Sequence, residues 1–179
     1  MKIRCHLSVL YIFLLCLCAA QAKEPRSNPA FGGRDNQISA HFGVSARGQI
    51  EELYLGGAQY SQPNRFFRIP GRQSIELMTA HGSGELSRYN QALIFGFAQD
   101  AVFPLFGPVY AGINLGIYIK SATTDRISSR FTFGERVFLG ADIYEDYRLE
   151  LYGRHFSNGT LTEKNGGQNF LGLSVMRNF

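Results

Sequence analysis

The sequence contains little cysteine, little histidine and no tryptophan, and its charge is nearly balanced. All three cysteines lie within the first 18 residues, and the four histidines are widely separated. No two histidines have the close spacing of a zinc motif, and no cysteine pattern indicates a disulfide framework. A formal net charge of +4 over 179 residues is too small and too scattered for a nucleic-acid footprint. These absences disfavour local zinc motifs, disulfide-stapled folds and nucleic-acid-binding proteins.

The first 22 residues have the pattern of a secretory signal peptide. Lys2 and Arg4 form a basic start, residues 7–17 are mostly apolar, and Ala20 and Ala22 give the small-x-small pattern of a cleavage site. The apolar run is too short for a membrane-spanning helix. We therefore predict export and cleavage near Ala22, which removes every cysteine and lowers the net charge by two units.

In the remaining domain, residues 23–179, apolar and polar side chains alternate along most of the chain. In residues 109–120 the odd positions are all apolar, and the even positions are mostly small or polar. This alternation predicts a β-strand with one apolar face. Weaker versions of it predict seven more strands, at residues 37–45, 50–60, 73–81, 92–98, 131–141, 147–154 and 169–179.

Eight antiparallel strands form either a soluble barrel with an apolar interior or a membrane barrel with an apolar exterior. The polar face contains charged and phenolic groups: Glu76, Tyr118, Arg136, Glu150, Tyr152 and Arg154. Lipid does not tolerate the charges among them, but a narrow lumen can pair arginine with glutamate. Phe179 ends the last strand and resembles the assembly signal of bacterial outer-membrane proteins. We therefore predict an all-β, eight-stranded antiparallel transmembrane barrel of the bacterial outer membrane. Its lumen is too narrow for a porin, because side chains fill it.

Residues 154–169 contain the clearest chemistry in the sequence. His155 and Ser157 are two positions apart on a strand, so both side chains belong to the apolar, lipid-facing row. A histidine beside a serine can act as general base on its hydroxyl, and Asn158 and Asn165 can donate to an oxyanion. The same residues also fit an ordinary strand end followed by an Asn-Gly turn.

At these residues the chain resembles the PagL family of outer-membrane lipid A 3-O-deacylases. The resemblance rests on motifs within residues 131–179: Phe133-Gly-Glu-Arg136, Tyr147 to Arg154, His155-Phe-Ser157-Asn158-Gly, Asn165-Gly166 and a final strand ending in phenylalanine. It implies hydrolysis of the ester-linked acyl chain at the 3-position of lipid A in lipopolysaccharide. It also implies His155 as base, Ser157 as nucleophile, Asn165 and Asn158 near the oxyanion, and no metal or other cofactor. Whether the barrel is a monomer or a homodimer stays open.

One position departs from the family pattern. The family has a glutamate fourteen residues after the histidine, and this sequence has Asn169 there. An asparagine can orient an imidazole but cannot stabilise an imidazolium by charge. Three alternatives follow: a working Ser-His-Asn site, a site in which Glu163 replaces the missing acid, and a degenerate site in a non-catalytic structural or adhesin-like barrel. A lipid acyltransferase would use the same groups with another acceptor.

A further segment predicts a loop. Residues 64–72 are flanked or interrupted by Pro63 and Pro70 and contain three arginines, Arg65, Arg68 and Arg72. Because prolines interrupt strands, the segment reads as a connection between two weak strands. Its arginines are candidates for contact with the phosphates of lipid A.

Overall fold

The computed structural model describes residues 36–46, 53–82, 91–124, 126–144 and 146–179. The predicted signal peptide and its cleavage site lie outside these residues. Eight strands form a closed antiparallel barrel in which each strand pairs with the next and β8 pairs with β1. The strands are β1 (Gln37–Ser45), β2 (Leu53–Phe66), β3 (Ile69–Gly82), β4 (Ala92–Phe106), β5 (Val109–Lys120), β6 (Phe131–Tyr144), β7 (Tyr147–Ser157) and β8 (Gln168–Asn178). The predicted number of strands and the predicted antiparallel order are confirmed.

The barrel has an apolar exterior and a polar interior. On β5, Ile113, Leu115 and Ile117 are 44%, 52% and 51% exposed, whereas Asn114 and Tyr118 on the opposite face are each 1% exposed. The same alternation recurs on the other strands, so a band of aliphatic and phenylalanine side chains surrounds the barrel. This is the surface that a bilayer requires of a spanning barrel. No helix in the described part of the chain is long and apolar enough to cross a membrane.

Ion pairs fill the centre of the lumen. Arg72 and Arg136 bind the two carboxylate oxygens of Glu150, at 2.9 and 3.0 Å, and Arg154 donates to Glu76 at 2.6 Å. All five side chains are buried. Each charge is unfavourable without a partner in this enclosed space, and the pairing offsets the cost of desolvation. Buried aromatic and aliphatic side chains pack at both sides of these pairs, which leaves a filled interior rather than a channel.

The prediction of a loop over residues 64–72 is wrong. β2 and β3 continue toward each other until a two-residue turn at residues 67–68. Arg72 is buried in the lumen, where its Nε donates to Asp100 at 2.7 Å, so it does not face the phosphates of a lipid.

The two prolines are tolerated because no third strand pairs with this part of the hairpin. β1 pairs with β2 only as far as Ser61, and β4 pairs with β3 only from Gln73 onward. Pro63 and Pro70 lie beyond these limits, where each strand is an edge. A proline on an edge strand needs no outward N–H donor, so it does not interrupt the hairpin.

The two ends of the barrel differ in the length of their connections. Two-residue turns join β2 to β3, β4 to β5 and β6 to β7, whereas longer segments join β3 to β4, β5 to β6 and β7 to β8. Outer-membrane barrels have short periplasmic turns and longer extracellular loops. The last residues of β7, which include His155 and Ser157, therefore lie at the extracellular end.

Candidate active site

His155 and Asn169 are neighbours across strands β7 and β8 and share the outward face. The Nδ1 atom of His155 and the Oδ1 atom of Asn169 are 2.6 Å apart. Because an amide oxygen only accepts hydrogen bonds, Nδ1 carries the hydrogen and donates it. The other ring nitrogen, Nε2, is then the unprotonated one, which is the form a general base requires. Ser157 lies two positions further along β7 on the same face.

Gly167 packs against the imidazole of His155. Its backbone has a φ of 61°, in the left-handed region that favours glycine. A Cβ atom at this position would be 2.6 Å from Cε1 of His155, closer than real contacts allow. Both the backbone and the space beside the ring therefore require glycine, and the packing fixes one side of the imidazole.

Gly167→Ala should lower any activity that depends on His155 at least about tenfold, because a displacement of a reacting ring by a fraction of an ångström is costly. Gly166→Ala is the matched control, since a Cβ there would meet Arg126 atoms only at 3.4 Å or more. Rates of acyl release by the two purified variants in detergent test this expectation. Equal rates would show that Gly167 does not position the ring.

Asn158 and Asn165 hold the segment between β7 and β8 in place. The side chain of Asn158 is buried, and its Nδ2 donates to Thr162 Oγ1 at 2.5 Å and to the Lys164 carbonyl at 3.1 Å. The backbone N–H of Asn158 donates to Oδ1 of Asn165 at 3.0 Å. The side chain of Asn165 therefore lies against the peptide that follows Ser157, whereas the amide of Asn158 is used within the loop.

The loop between β5 and β6 contacts this segment and holds it in place. Arg126 donates from Nε to the carbonyl of Gly167 at 2.6 Å and from Nη2 to the carbonyl of Gly166 at 2.5 Å. Ile127, which is fully buried, forms an isolated bridge with Asn165. Nothing in the sequence indicates these contacts, because Arg126 belongs to no recognisable motif and lies far from His155 along the chain.

Two acidic residues, Glu163 and Glu135, occupy different places relative to His155. Glu163 is exposed within the loop between β7 and β8. Glu135 is exposed on the outward face of β6 and is the direct neighbour of His155 across β6 and β7. In the sequence, Glu135 is a break in the otherwise apolar odd-numbered row of residues 131–141. That break was the available signal, since a carboxylate on a lipid-facing row is unfavourable.

A shallow groove of about 300 Å³ extends from the His155–Asn169 pair along the outer face of the barrel. A Cβ atom at Gly153 would lie 3.7 Å from Val137 and 3.8 Å from Leu171, so the glycine forms the floor between two aliphatic walls. The groove is thus polar at its extracellular end and apolar toward the membrane. Its lining residues are Ala46, Glu135, Val137, Gly153, Arg154, His155, Asn169, Phe170 and Leu171.

Metal ligands are not grouped anywhere in the described ranges: no three histidine, cysteine, aspartate or glutamate side chains there could hold an ion together.

Comparisons with known proteins agree with this architecture. The family model of PagL, lipid A 3-O-deacylase, matches residues 51–178. The crystal structure of the outer-membrane enzyme PagL is similar with a TM-score of 0.56 and 18% identity, over 79% of this chain and 98% of that one. Neisserial surface protein A is similar with a TM-score of 0.54 and 14% identity, over 81% of this chain and 96% of that one. A search of curated protein sequences finds no match.

At these identities the two structures establish the fold, and together with the closed eight-stranded antiparallel barrel they confirm the predicted fold class. The family assignment rests on the family model, which spans well over half of the chain and includes every motif residue from His155 to Asn169. The predicted resemblance is confirmed: this outer-membrane β-barrel belongs to the PagL family of lipid A 3-O-deacylases.

Proposed function

We propose that this protein hydrolyses the acyl ester at the 3-position of lipid A as a metal-independent serine esterase, with Ser157 as nucleophile and His155 as general base. The observation that carries the proposal is the 2.6 Å contact between His155 Nδ1 and Asn169 Oδ1 on the outward face. This contact orients the ring and leaves Nε2 to accept a proton. The base and nucleophile thus lie on the face that lipid contacts, where an acyl ester of the membrane reaches them.

The chemistry proceeds in two halves. Ser157 Oγ attacks the acyl carbonyl while His155 Nε2 takes the hydroxyl proton, and the tetrahedral intermediate collapses as His155 returns that proton to the departing sugar oxygen. Water then attacks the acyl-serine while His155 takes one of its protons, and the second tetrahedral intermediate collapses as His155 returns that proton to Ser157 Oγ, which releases the fatty acid and restores the serine. Asn165 is the side-chain donor that we assign to the oxyanion. Asn158 supports it by holding the peptide after Ser157 and the Asn165 oxygen together.

The groove below the site fits the acyl chain of such a substrate. Its polar end lies beside His155 at the extracellular end of the barrel, and its apolar part continues over Gly153 toward the membrane. An ester held at the polar end places its hydrocarbon along the apolar part. The remote contact with the chain then positions the carbonyl for attack.

Gly153→Leu should lower kcat/KM about tenfold or more, because the added side chain fills the groove and misplaces the ester. Ala40→Leu is the control, since Ala40 faces outward on β1, away from the groove. Acyl release from purified lipid A by each variant is the measurement. Unchanged kinetics in Gly153→Leu would show that the groove does not hold the acyl chain.

Mass spectrometry of lipid A from cells expressing the protein tests the function itself, with Ser157→Ala as the matched control. We expect the loss of one 3-hydroxyacyl chain in cells with the wild-type protein and none with the variant. Gain of a chain would indicate an acyltransferase. No change would indicate a structural or adhesin-like barrel with a degenerate site. A homodimer stays a prediction.

A further inference from the structure

Glu135 is the one charged residue of an otherwise apolar outward row on β6. Phe131, Phe133 and Val137 precede and follow it on the same face, and all are exposed on the barrel exterior. A carboxylate on a lipid-facing surface is unfavourable, and such residues mark functional sites. Outward positions of a membrane barrel are normally apolar, so the carboxylate of Glu135 indicates a specific role at this position.

The barrel places His155 between Glu135 and Asn169. Glu135 pairs with His155 across β6 and β7, and His155 pairs with Asn169 across β7 and β8. Side chains directly opposite each other on adjacent antiparallel strands have Cβ atoms about 4.5–5.5 Å apart. All three residues line the same groove. One flank of the histidine thus carries a neutral amide and the other carries a carboxylate.

The two flanking residues supply different things to the imidazole. Asn169 accepts the Nδ1 hydrogen and so fixes the tautomer and the ring orientation. It contributes no charge to the imidazolium that forms when His155 takes the serine proton. A carboxylate one strand away stabilises that cation, and the interaction is stronger beside lipid than in water because the local dielectric constant is low.

We propose that Glu135 is a positioning residue that supplies the negative charge for the His155 imidazolium, while Asn169 supplies the orientation. A single carboxylate can both orient an imidazole and stabilise its positive charge. Here Glu135 on β6 supplies the charge and Asn169 on β8 supplies the orientation. This inference rests on the proposed function, and it explains how a site with asparagine at position 169 can remain active.

The central test is Glu135→Gln, which keeps the size of the side chain and removes its charge. We expect kcat on purified lipid A to fall about ten- to thirtyfold with little change in KM, since the charge acts mainly on the transition state. Glu135→Asp keeps the charge and should retain most of the activity. Asp146→Asn is the matched control, because it removes a carboxylate from the exposed turn at the opposite end of the barrel.

A second test replaces the charge lost from β6 by a carboxylate on β8. Asn169→Glu should raise kcat about a hundredfold in the Glu135→Gln background but only about tenfold in the wild type, because residues that serve one function are not additive. Equal gains in both backgrounds would overturn the inference. So would an unchanged kcat in Glu135→Gln, or a rise in KM alone, which would make Glu135 a contact for substrate.

A serine-reactive alkyl fluorophosphonate separates this inference from the proposed function. Ser157 Oγ forms a bond to phosphorus, fluoride leaves, and His155 takes the serine proton. If the wild type fails to deacylate lipid A but labels at a rate that falls in Glu135→Gln and recovers in Glu135→Asp, the substrate assignment fails and the role of Glu135 stands. If labelling is independent of Glu135 while lipid A is deacylated, the function stands and the inference fails. Heat-modifiable migration on gels shows that each variant is folded.

Discussion

Ser157→Ala should abolish deacylation of lipid A, and His155→Ala should do the same, each with a loss in kcat of about four orders of magnitude or more. The serine variant removes the atom that bonds to the acyl carbon. The histidine variant removes the group that takes and returns the proton. The double variant should be little worse than either single variant, because residues that act as a unit are not additive. Release of 3-hydroxy fatty acid from purified lipid A in detergent is the measurement.

Both substitutions should leave the barrel intact. His155 and Ser157 face outward and take no part in the ion pairs of the lumen. The folded fraction, measured by heat-modifiable migration on gels, should match that of the wild type. Near-normal turnover in either folded single variant would contradict the roles proposed for the pair.

The alternation of side chains was sufficient to predict the barrel. A membrane barrel reverses the usual inside-outside distribution along every strand, so residues such as Ile113 and Asn114 identify both the strand and its two faces. The weak segments near residues 50–60 and 73–81 fall on the long strands β2 and β3 over residues 53–60 and 73–81, and residues 50–52 lie outside the described part of the chain. The stretch between the two segments also belongs to these strands, but its polar residues and two prolines give no alternation to read.

The partners of individual residues could not be predicted in the same way. Arg72 looked like a loop residue because Pro63 and Pro70 surround it, yet its carboxylate partners come from β4 and β7. Proline excludes an interior strand but not an edge, and the position of the edges depends on where the neighbouring strands end. That information is not local to the segment.

The same distinction applies to the candidate site: the sequence predicts which face a residue occupies but not which side chains lie beside it. The shared outward face of His155, Ser157 and Asn169 follows from counting residues by twos, and the structure places the first and third in contact. Register decides which side chains lie beside them, and a single sequence does not fix register between distant strands. The positions of Glu135 on β6 and of Arg126 in another loop therefore became visible only in the barrel.

Asn169→Ala should lower turnover about a hundredfold, because the imidazole loses the oxygen that holds its Nδ1 hydrogen and its orientation. In the wild-type background, Asn169→Glu should raise turnover about tenfold, since a carboxylate keeps the orientation and adds a charge for the imidazolium. Initial rates of acyl release by the two variants, normalised to the folded fraction, test both directions. Unchanged rates in both variants would show that Asn169 has no role in the reaction.

Glu163→Ala distinguishes Asn169 from the loop acid as the third member of the site. Glu163 is exposed in the segment between β7 and β8, whereas Nδ1 of His155 contacts Asn169. Glu163 lies in a loop and is not the strand neighbour of His155, as Glu135 is, and water and salt screen an exposed loop carboxylate. We therefore expect Glu163→Ala to change turnover by less than about twofold. If it abolishes activity while Asn169→Ala has no effect, Glu163 is the residue that supports the base, and the assignment of Asn169 is wrong while that of Ser157 and His155 stands.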